Sequence, residues 1–226
     1  MTFGIERQGA SGLQSRGVTR RGAYAKGVAK RDEILLTALE VIATHGYRRA
    51  SVRELAEAVG LSQAGLLHYF DSKDDLFAEV LRKRDEVDTA TLLSAATMDD
   101  LDPVEMVTNY LQIIRHNAEV PGLVQLYAAL SSESVDSSHT AHAYFTQRYS
   151  NMRTYFTRAI EALQARGEFL PTVDAASFAV TLIALADGLQ VQWMHDPTID
   201  MAAQLEQLFA LVRVPARVTD ATPAPE

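Results

Sequence analysis

The densest run of side chains able to do chemistry lies between Arg48 and Lys73. Gln63 carries a carboxamide that can both accept from and donate to an adenine edge, and beside it Ala64 and Gly65 are small enough for the backbone to approach base pairs. Ser62, His68 and Tyr69 add polar groups within one short segment. Arg48, Arg49 and Arg53 before that segment, and Lys73 just after it, carry the charge that neutralises phosphates and sets docking register. This is the chemistry of recognition. The chain has no nucleophile elbow, phosphate-binding glycine loop or zinc-protease helix, so no enzymatic activity, catalytic residue or cofactor is expected.

To present those groups together, the chain needs short helices and a tight turn. Ser51-Val52-Arg53-Glu54 is a capping box, in which the serine accepts from a free backbone N–H and Glu54 reaches back. Val52, Leu55, Ala56 and Val59 give the helix it opens a buried face. Gly60 can take the positive φ of a turn, and Ser62 is placed to cap a further helix predicted to run through Phe70. Ahead of them, Ile34, Leu35, Ala38, Leu39 and Ile42 form the stripe of a first helix from Lys30, stopped by Gly46. Behind them, Ser72-Lys73-Asp74-Asp75 opens a fourth helix with Leu76, Phe77, Val80 and Leu81 inward. Two short helices joined by a glycine turn and packed on a preceding helix make a helix-turn-helix, whose second short helix enters a major groove.

Charge distribution agrees with that assignment. The 226 residues carry a net charge of −8, yet residues 1–70 hold ten Lys and Arg against six Asp and Glu. The rest of the molecule is strongly acidic, the segregation expected when one module meets phosphate and the remainder must not. Residues 1–27 hold half of the glycines, lack hydrophobic periodicity and are basic, with Lys26 near their end, and read as a flexible arm able to follow phosphates. The chain has no cysteine, which excludes disulfides, thiolate zinc sites and cysteine nucleophiles and suits a cytoplasmic location. No signal peptide or membrane span is expected.

Beyond Asp85 the pattern stays helical, so the fold class is all-α: an N-terminal helix-turn-helix followed by a larger helical part. Pro103 begins a helix reaching about Asn117, and Pro121-Gly122 begins another that fades over Ser131–Ser138. His142, Phe145, Tyr149, Met152, Phe156, Ile160 and Leu163 step by threes and fours until Gly167. From Ala175 to Met194 apolar residues wrap nearly all round, which requires burial on two sides, and Met201 to Val212 is amphipathic. The expected division is an arm over 1–27, a DNA-binding domain over 28–74, a helical domain over 75–214 and a disordered tail over 215–226.

The stretch from Lys30 to Leu81, above all Ser51 through Lys73, resembles the DNA-binding domain of the TetR family of regulators. Transferred position by position, the resemblance implies DNA contacts from Ser51, Arg53, Gln63, Ala64, Gly65, Leu67, Tyr69 and Lys73. Leu67 departs from the pattern: many members have tyrosine there, so apolar contact, as with a thymine methyl, replaces a phosphate hydrogen bond. The resemblance also implies that the acidic part is both receptor for a small-molecule effector and homodimer interface, its last two helices forming a four-helix bundle across a two-fold axis. The two-sided helix from Ala175 and the amphipathic one from Met201 suit such a bundle.

Tyr110, Tyr127, His142, Phe145, Tyr149, Met152, Gln190 and Trp193 are candidates to line the effector cavity, although helical spacing alone does not separate pocket from core. Asp187, in an otherwise apolar helix, needs a hydrogen-bonding partner. His139 and His142 with Glu133 or Asp136 have a spacing open to a metal, but no metal site is expected of so sparse a set. The expected function is a ligand-responsive regulator, a repressor released from a palindromic double-stranded operator by a small molecule. The rival reading is a helical protein-binding adaptor that retains the helix-turn-helix.

Overall fold

The computed structural model describes residues 15–93 and 101–214. Within them the order is α1 (Ser15–His45), α2 (Val52–Ala58), α3 (Gln63–Leu67), α4 (Lys73–Leu93), α5 (Pro103–Asn117), α6 (Pro121–Glu133), α7 (His142–Ala165), α8 (Ala175–His195) and α9 (Met201–Val212). The fold is all-α, as the periodicity requires. Among the described residues the one β-type pairing is an isolated bridge between Phe169 and Arg213, which fastens the end of α9 to the α7–α8 connection.

Local chemistry fixes most boundaries. Ser51 Oγ accepts from Glu54 N while the Glu54 carboxylate accepts from Ser51 N at 3.0 Å, completing the capping box of α2. Asp102, Asp174 and Asp200 cap α5, α8 and α9 in the same way, each accepting from a first-turn N–H. Gly60, at φ 69°, and Gly167, at φ 72°, take the left-handed turns that close α2 and α7.

Two boundaries differ from expectation. The first helix begins at Ser15 rather than Lys30, so the stretch towards Gly27 that reads as a flexible arm is helical from Ser15 onward. Glycines inside that helix cost about 1 kcal/mol each relative to alanine. Propagation needs no new nucleus once Ile34, Leu35, Ala38 and Ile42 have anchored the helix to the core, and each added residue contributes one backbone hydrogen bond. Residues 1–14, and the tail expected to be disordered at 215–226, lie outside the described residues. The second difference is in α3, which ends at Leu67 instead of Phe70. Unwinding after His68 turns Phe70 into the core, where it is 3% exposed, and frees Ser72 to accept from Asp75 N at 3.0 Å at the start of α4.

Two apolar clusters make the interior. The first joins α1, α2, α3 and α4 through Ile34, Ile42, Leu55, Leu66, Phe77 and Leu81, and continues into Leu123, Leu126 and Leu130 of α6 and Phe145 of α7. The second joins α5, α7, α8 and α9 around Phe156, Ile160, Leu182 and Leu205. Val124 of α6 belongs to it as well, so α6 is a common wall between head and body. By length and composition α8 could cross a membrane, with an 18-residue window of mean hydropathy 1.3. Phe178, Leu182, Ile183 and Leu189 are buried in the second cluster, however, which is the position of a core helix.

Candidate nucleic-acid interface and ligand cleft

The reading head is built on α1. Leu55, Leu66 and Phe70 anchor α2 and α3 inward, and the α2–α3 turn is closed by Leu61 N donating to Ala56 O at 2.8 Å. Ser62 Oγ accepts from Gly65 N at 3.0 Å and so fixes the start of α3. With the apolar side committed, Arg49, Ser51, Arg53, Ser62, Gln63, Ala64, Leu67, His68 and Lys73 are exposed, while Gly65 and Tyr69 are half-buried. Leu67 is 40% exposed, unusual for a leucine and consistent with an apolar contact awaiting a partner. The Ser51 and Ser62 hydroxyls are already engaged as caps, so their remaining capacity is one further hydrogen bond each. Lys73 Nζ lies 5.2 Å from the Phe77 ring centroid, which steadies the ammonium at the edge of the face.

Lys26 is exposed on α1, away from the α2–α3 segment; its neighbour Gly27 lines an open cleft with His68 and Tyr69 on the far wall. Two residues that sequence pattern left unmarked set the posture of the head. Lys30 Nζ donates to Val59 O at 3.3 Å, tying α1 to the helix-turn-helix turn. The Arg31 guanidinium lies 4.9 Å from the Phe70 ring centroid and pairs with Glu79 at 2.9 Å, joining α1 to α4. Their partners lie 29 or more positions away, a separation that no local motif records.

A second site lies in the body. A cleft of about 260 Å³ is walled by Asp85, Asp88 and Thr89 of α4, Asn109, Tyr110 and Ile113 of α5, and Arg148, Met152, Tyr155 and Phe156 of α7. A smaller recess adjoins it, sharing Asp85, Asp88, Tyr110, Arg148 and Met152 and adding Arg84, Asn117, Tyr127, Tyr144, Asp187 and Gln190. Four of the expected lining residues therefore come together here: Tyr110, Tyr127, Met152 and Gln190. Tyr149 stands behind the recess and donates to Asp187 Oδ2 at 2.8 Å. Phe145 is packed against Tyr127, Tyr144 and Tyr149 in the core. His142 and Trp193 are not brought to the cleft: His142 Nδ1 sits 2.8 Å from Ser134 O, and Trp193 is buried in the second cluster. Among the described residues no three His, Asp or Glu side chains converge as a metal set would.

What lines the recess is a buried ionic network. Arg148 pairs with Asp85, whose other oxygen accepts from the Tyr144 hydroxyl at 2.8 Å. Arg84, 8% exposed, donates to Asn117 Oδ1 and approaches Asp88 at 3.7 Å. The Tyr127 hydroxyl donates to Asp187 Oδ1 at 3.1 Å. Burial pushes the Tyr110, Tyr144 and Tyr149 hydroxyls well above their ordinary pKa, so they remain protonated donors. Burial likewise raises Tyr155, to about 12.

Burial also raises Asp88, against the pull of Arg84, and raises Asp187, against the hydrogen bonds from the two tyrosines. A carboxyl held above its unfolded pKa contributes stability in acid that is lost as pH rises through the folded pKa. Urea unfolding of the unaltered protein and Asp88→Asn should therefore diverge in the variant's favour as pH climbs from 3.8, the ordinary value. A difference that is flat or runs the other way would show that Arg84 outweighs desolvation.

Comparison with known proteins follows the same division. A family model described as "Bacterial regulatory proteins, tetR family" matches residues 34–80, and one described as "BetI-type transcriptional repressor, C-terminal" matches 106–213. The chain is 27% identical over 168 residues to the HTH-type transcriptional regulator PksA of Bacillus subtilis, covering 74% of this chain and 80% of that protein. It is 27% identical over 123 residues to the HTH-type transcriptional repressor KstR2 of Rhodococcus jostii, covering 54% of this chain and only 52% of that protein. Among solved structures it resembles a TetR-family regulator from Rhodococcus sp., with a TM-score of 0.63 and 23% identity over 82% of this chain and 98% of that one.

Proposed function

The chain belongs to the TetR family of transcriptional regulators, and from that premise we propose that it is a cytoplasmic, homodimeric repressor that leaves a palindromic operator when a small molecule enters the α4–α5–α7 cleft. Regulators of this family bind DNA, form dimers and are not enzymes. The observation that carries the proposal is the exposed α3 surface of Gln63, Ala64 and Leu67, flanked by Arg49, Arg53 and Lys73. Gln63 reads an adenine edge, Leu67 meets a thymine methyl, Ala64 and Gly65 allow close approach, and the basic residues, with Ser51, Ser62, His68, Tyr69 and Lys26, hold phosphate.

Dimerisation is assigned to α8 and α9. One stripe of α8 stays exposed in the single chain, comprising Val180, Ala184, Gly188 and Val191, and on α9 Leu211 is 77% exposed. Apolar residues left uncovered at helical spacing on adjacent helices suit a two-fold four-helix bundle.

For the response, α4 is the connecting lever. It begins at Lys73 on the reading face and carries Asp85 and Asp88 into the cleft wall, roughly 22 Å along the axis from Lys73 at 1.5 Å per residue. A ligand in the cleft moves α4 against α5 and α7, and the two α3 helices of the dimer lose the spacing of one DNA turn, roughly 34–36 Å.

Selection of bound sequences from a random DNA pool tests this reading; an inverted repeat with half-sites one turn apart is expected. A pool that yields no enriched sequence, with a protein ligand captured through the same face, would favour the adaptor. On the selected operator, Gln63→Ala should cost about 1–3 kcal/mol and relax preference at one position. Lys73→Ala should weaken selected and random duplexes alike and lower the salt slope by about one. Normal operator affinity in Gln63→Ala would remove it as a base reader.

A further inference from the structure

We propose that the cleft takes a small organic cation carried on an apolar body, with Asp88 as its counter-ion and the Tyr110, Tyr155 and Phe156 rings as its cage. This deepens the reading of the cleft as an effector site and rests on it.

The charge of the walls points to the sign of the ligand. The cleft and its recess hold two guanidiniums, Arg84 and Arg148, against three carboxylates, Asp85, Asp88 and Asp187. Arg148 is neutralised by Asp85 and stacks 5.3 Å from the Tyr127 ring centroid, so it offers no free charge to an anion. Asp187 is satisfied by the hydroxyls of Tyr127 and Tyr149. Asp88 differs from both: its approach to Arg84 Nε, at 3.7 Å, is beyond hydrogen-bond distance, while Arg84 donates to Asn117 instead. The remaining nearby cation, His116, lies on the outer side of α5 and is paired with Glu119 at 2.9 Å. A carboxylate exposed by only 19% with no donor in contact is costly unless a cation joins it.

The other walls fit the body of such a ligand. Tyr110 and Phe156 meet edge to face at 4.7 Å, and Tyr155 and Phe156 at 5.2 Å, with Met152 and Ile113 completing an apolar lining. The Tyr155 hydroxyl is tied to Met106 O at 3.1 Å, which fixes its ring in place. Aromatic faces attract a desolvated cation, best where bulk water is thinned, and a cleft of about 260 Å³ excludes most of it. Because Asp88 is on α4, the ion pair it forms acts directly on the helix that begins at the reading face.

The test uses the full chain and isothermal titration with benzyltrimethylammonium, with tetramethylammonium and tetraphenylphosphonium to bracket size. Neopentylbenzene, the uncharged isostere, and 4-phenylbutyrate complete the probe set. At least one cation should bind tenfold or more tightly than both the isostere and the carboxylate. Asp88→Asn should remove that preference and Tyr155→Leu should weaken cation binding while both variants keep the unaltered circular dichroism. No cation binding, or equal binding of cation and isostere, or a preference unaffected by Asp88→Asn, overturns the inference. Operator binding measured on the same preparation separates the two readings. A protein that holds its operator but ignores cations loses only this inference, and one that binds cations but no duplex loses the regulator.

Discussion

Replacing Gly122 with alanine is expected to destabilise the protein by about 3 kcal/mol or more, the upper range for forcing atoms into a packed interior. A Cβ at this position would lie 2.1 Å from Ile42 O and 2.9 Å from Gly46 Cα. Both obstacles are backbone, so no side-chain rotation relieves the clash. Gly122 stands in the first turn of α6, just after Pro121, and Ile42 and Gly46 stand at the end of α1. The contact brings the free N–H groups of one helix start against the free carbonyls of another helix end, a favourable alignment of dipoles. To admit alanine, α6 must withdraw from α1, and α6 is the wall shared by head and body. Thermal unfolding should therefore fall by roughly 6–12 °C at 2–4 °C per kcal/mol. If the protein still folds at low temperature, its operator affinity should drop and respond less to ligand. An unchanged melting temperature would mean that α1 and α6 are not held this closely.

The second large effect concerns Gly188. Its Cβ position meets nothing within 4 Å, and replacing glycine in an exposed helix favours the helix by up to about 1 kcal/mol. In the single chain, Gly188→Arg is therefore harmless. In the proposed dimer it sets a charge and a long side chain in the middle of the Val180, Ala184 and Val191 stripe. Sedimentation velocity should then give half the unaltered mass with unchanged helicity. Operator affinity should fall by roughly 10²–10⁴-fold, the gain two linked half-sites confer. A variant that stays dimeric would remove α8 from the interface.

These effects follow from parts of the chain that sequence reveals unequally. Ser51, Glu54, Gly60, Ser62 and Ser72 act on partners within five positions, so the capping boxes and the turn of the reading head can be read directly, and they stand in the structure as expected. The start of α1 is different. Nothing between Ser15 and Lys30 has apolar periodicity, because helix extension there depends on the anchored turns that follow. The end of α3 is set by the pull of Phe70 into a core shared with α1, and such a choice between local helix and burial is tertiary.

The cleft shows the same limit more sharply. Tyr110, Tyr127, Met152 and Gln190 are legible as apolar or amphipathic residues on inward faces. Arg84, Asp85 and Asp88 follow Arg82 and Lys83 in a run of charge that reads as a solvated face. Only the approach of α5 and α7 converts that face into a wall, and pairs such as Arg148 with Asp85 span more than sixty positions. His142 and Trp193 fall on correctly assigned helices but at ends distant from the cleft, which shows that periodicity identifies the buried side without saying what lies opposite.

The most direct test of the central claim is the affinity of the unaltered dimer for its selected operator, measured by fluorescence anisotropy between 50 and about 200 mM salt, the range over which phosphate contacts dominate. The account predicts one dimer per duplex and a steep linear fall of log affinity with log salt, about 10³-fold or more if six or more phosphates are held. It also predicts a far weaker complex with a scrambled duplex at every salt concentration. Affinity that is indifferent to salt and to sequence would contradict the assignment of the Arg49, Arg53, Gln63 and Lys73 face to DNA.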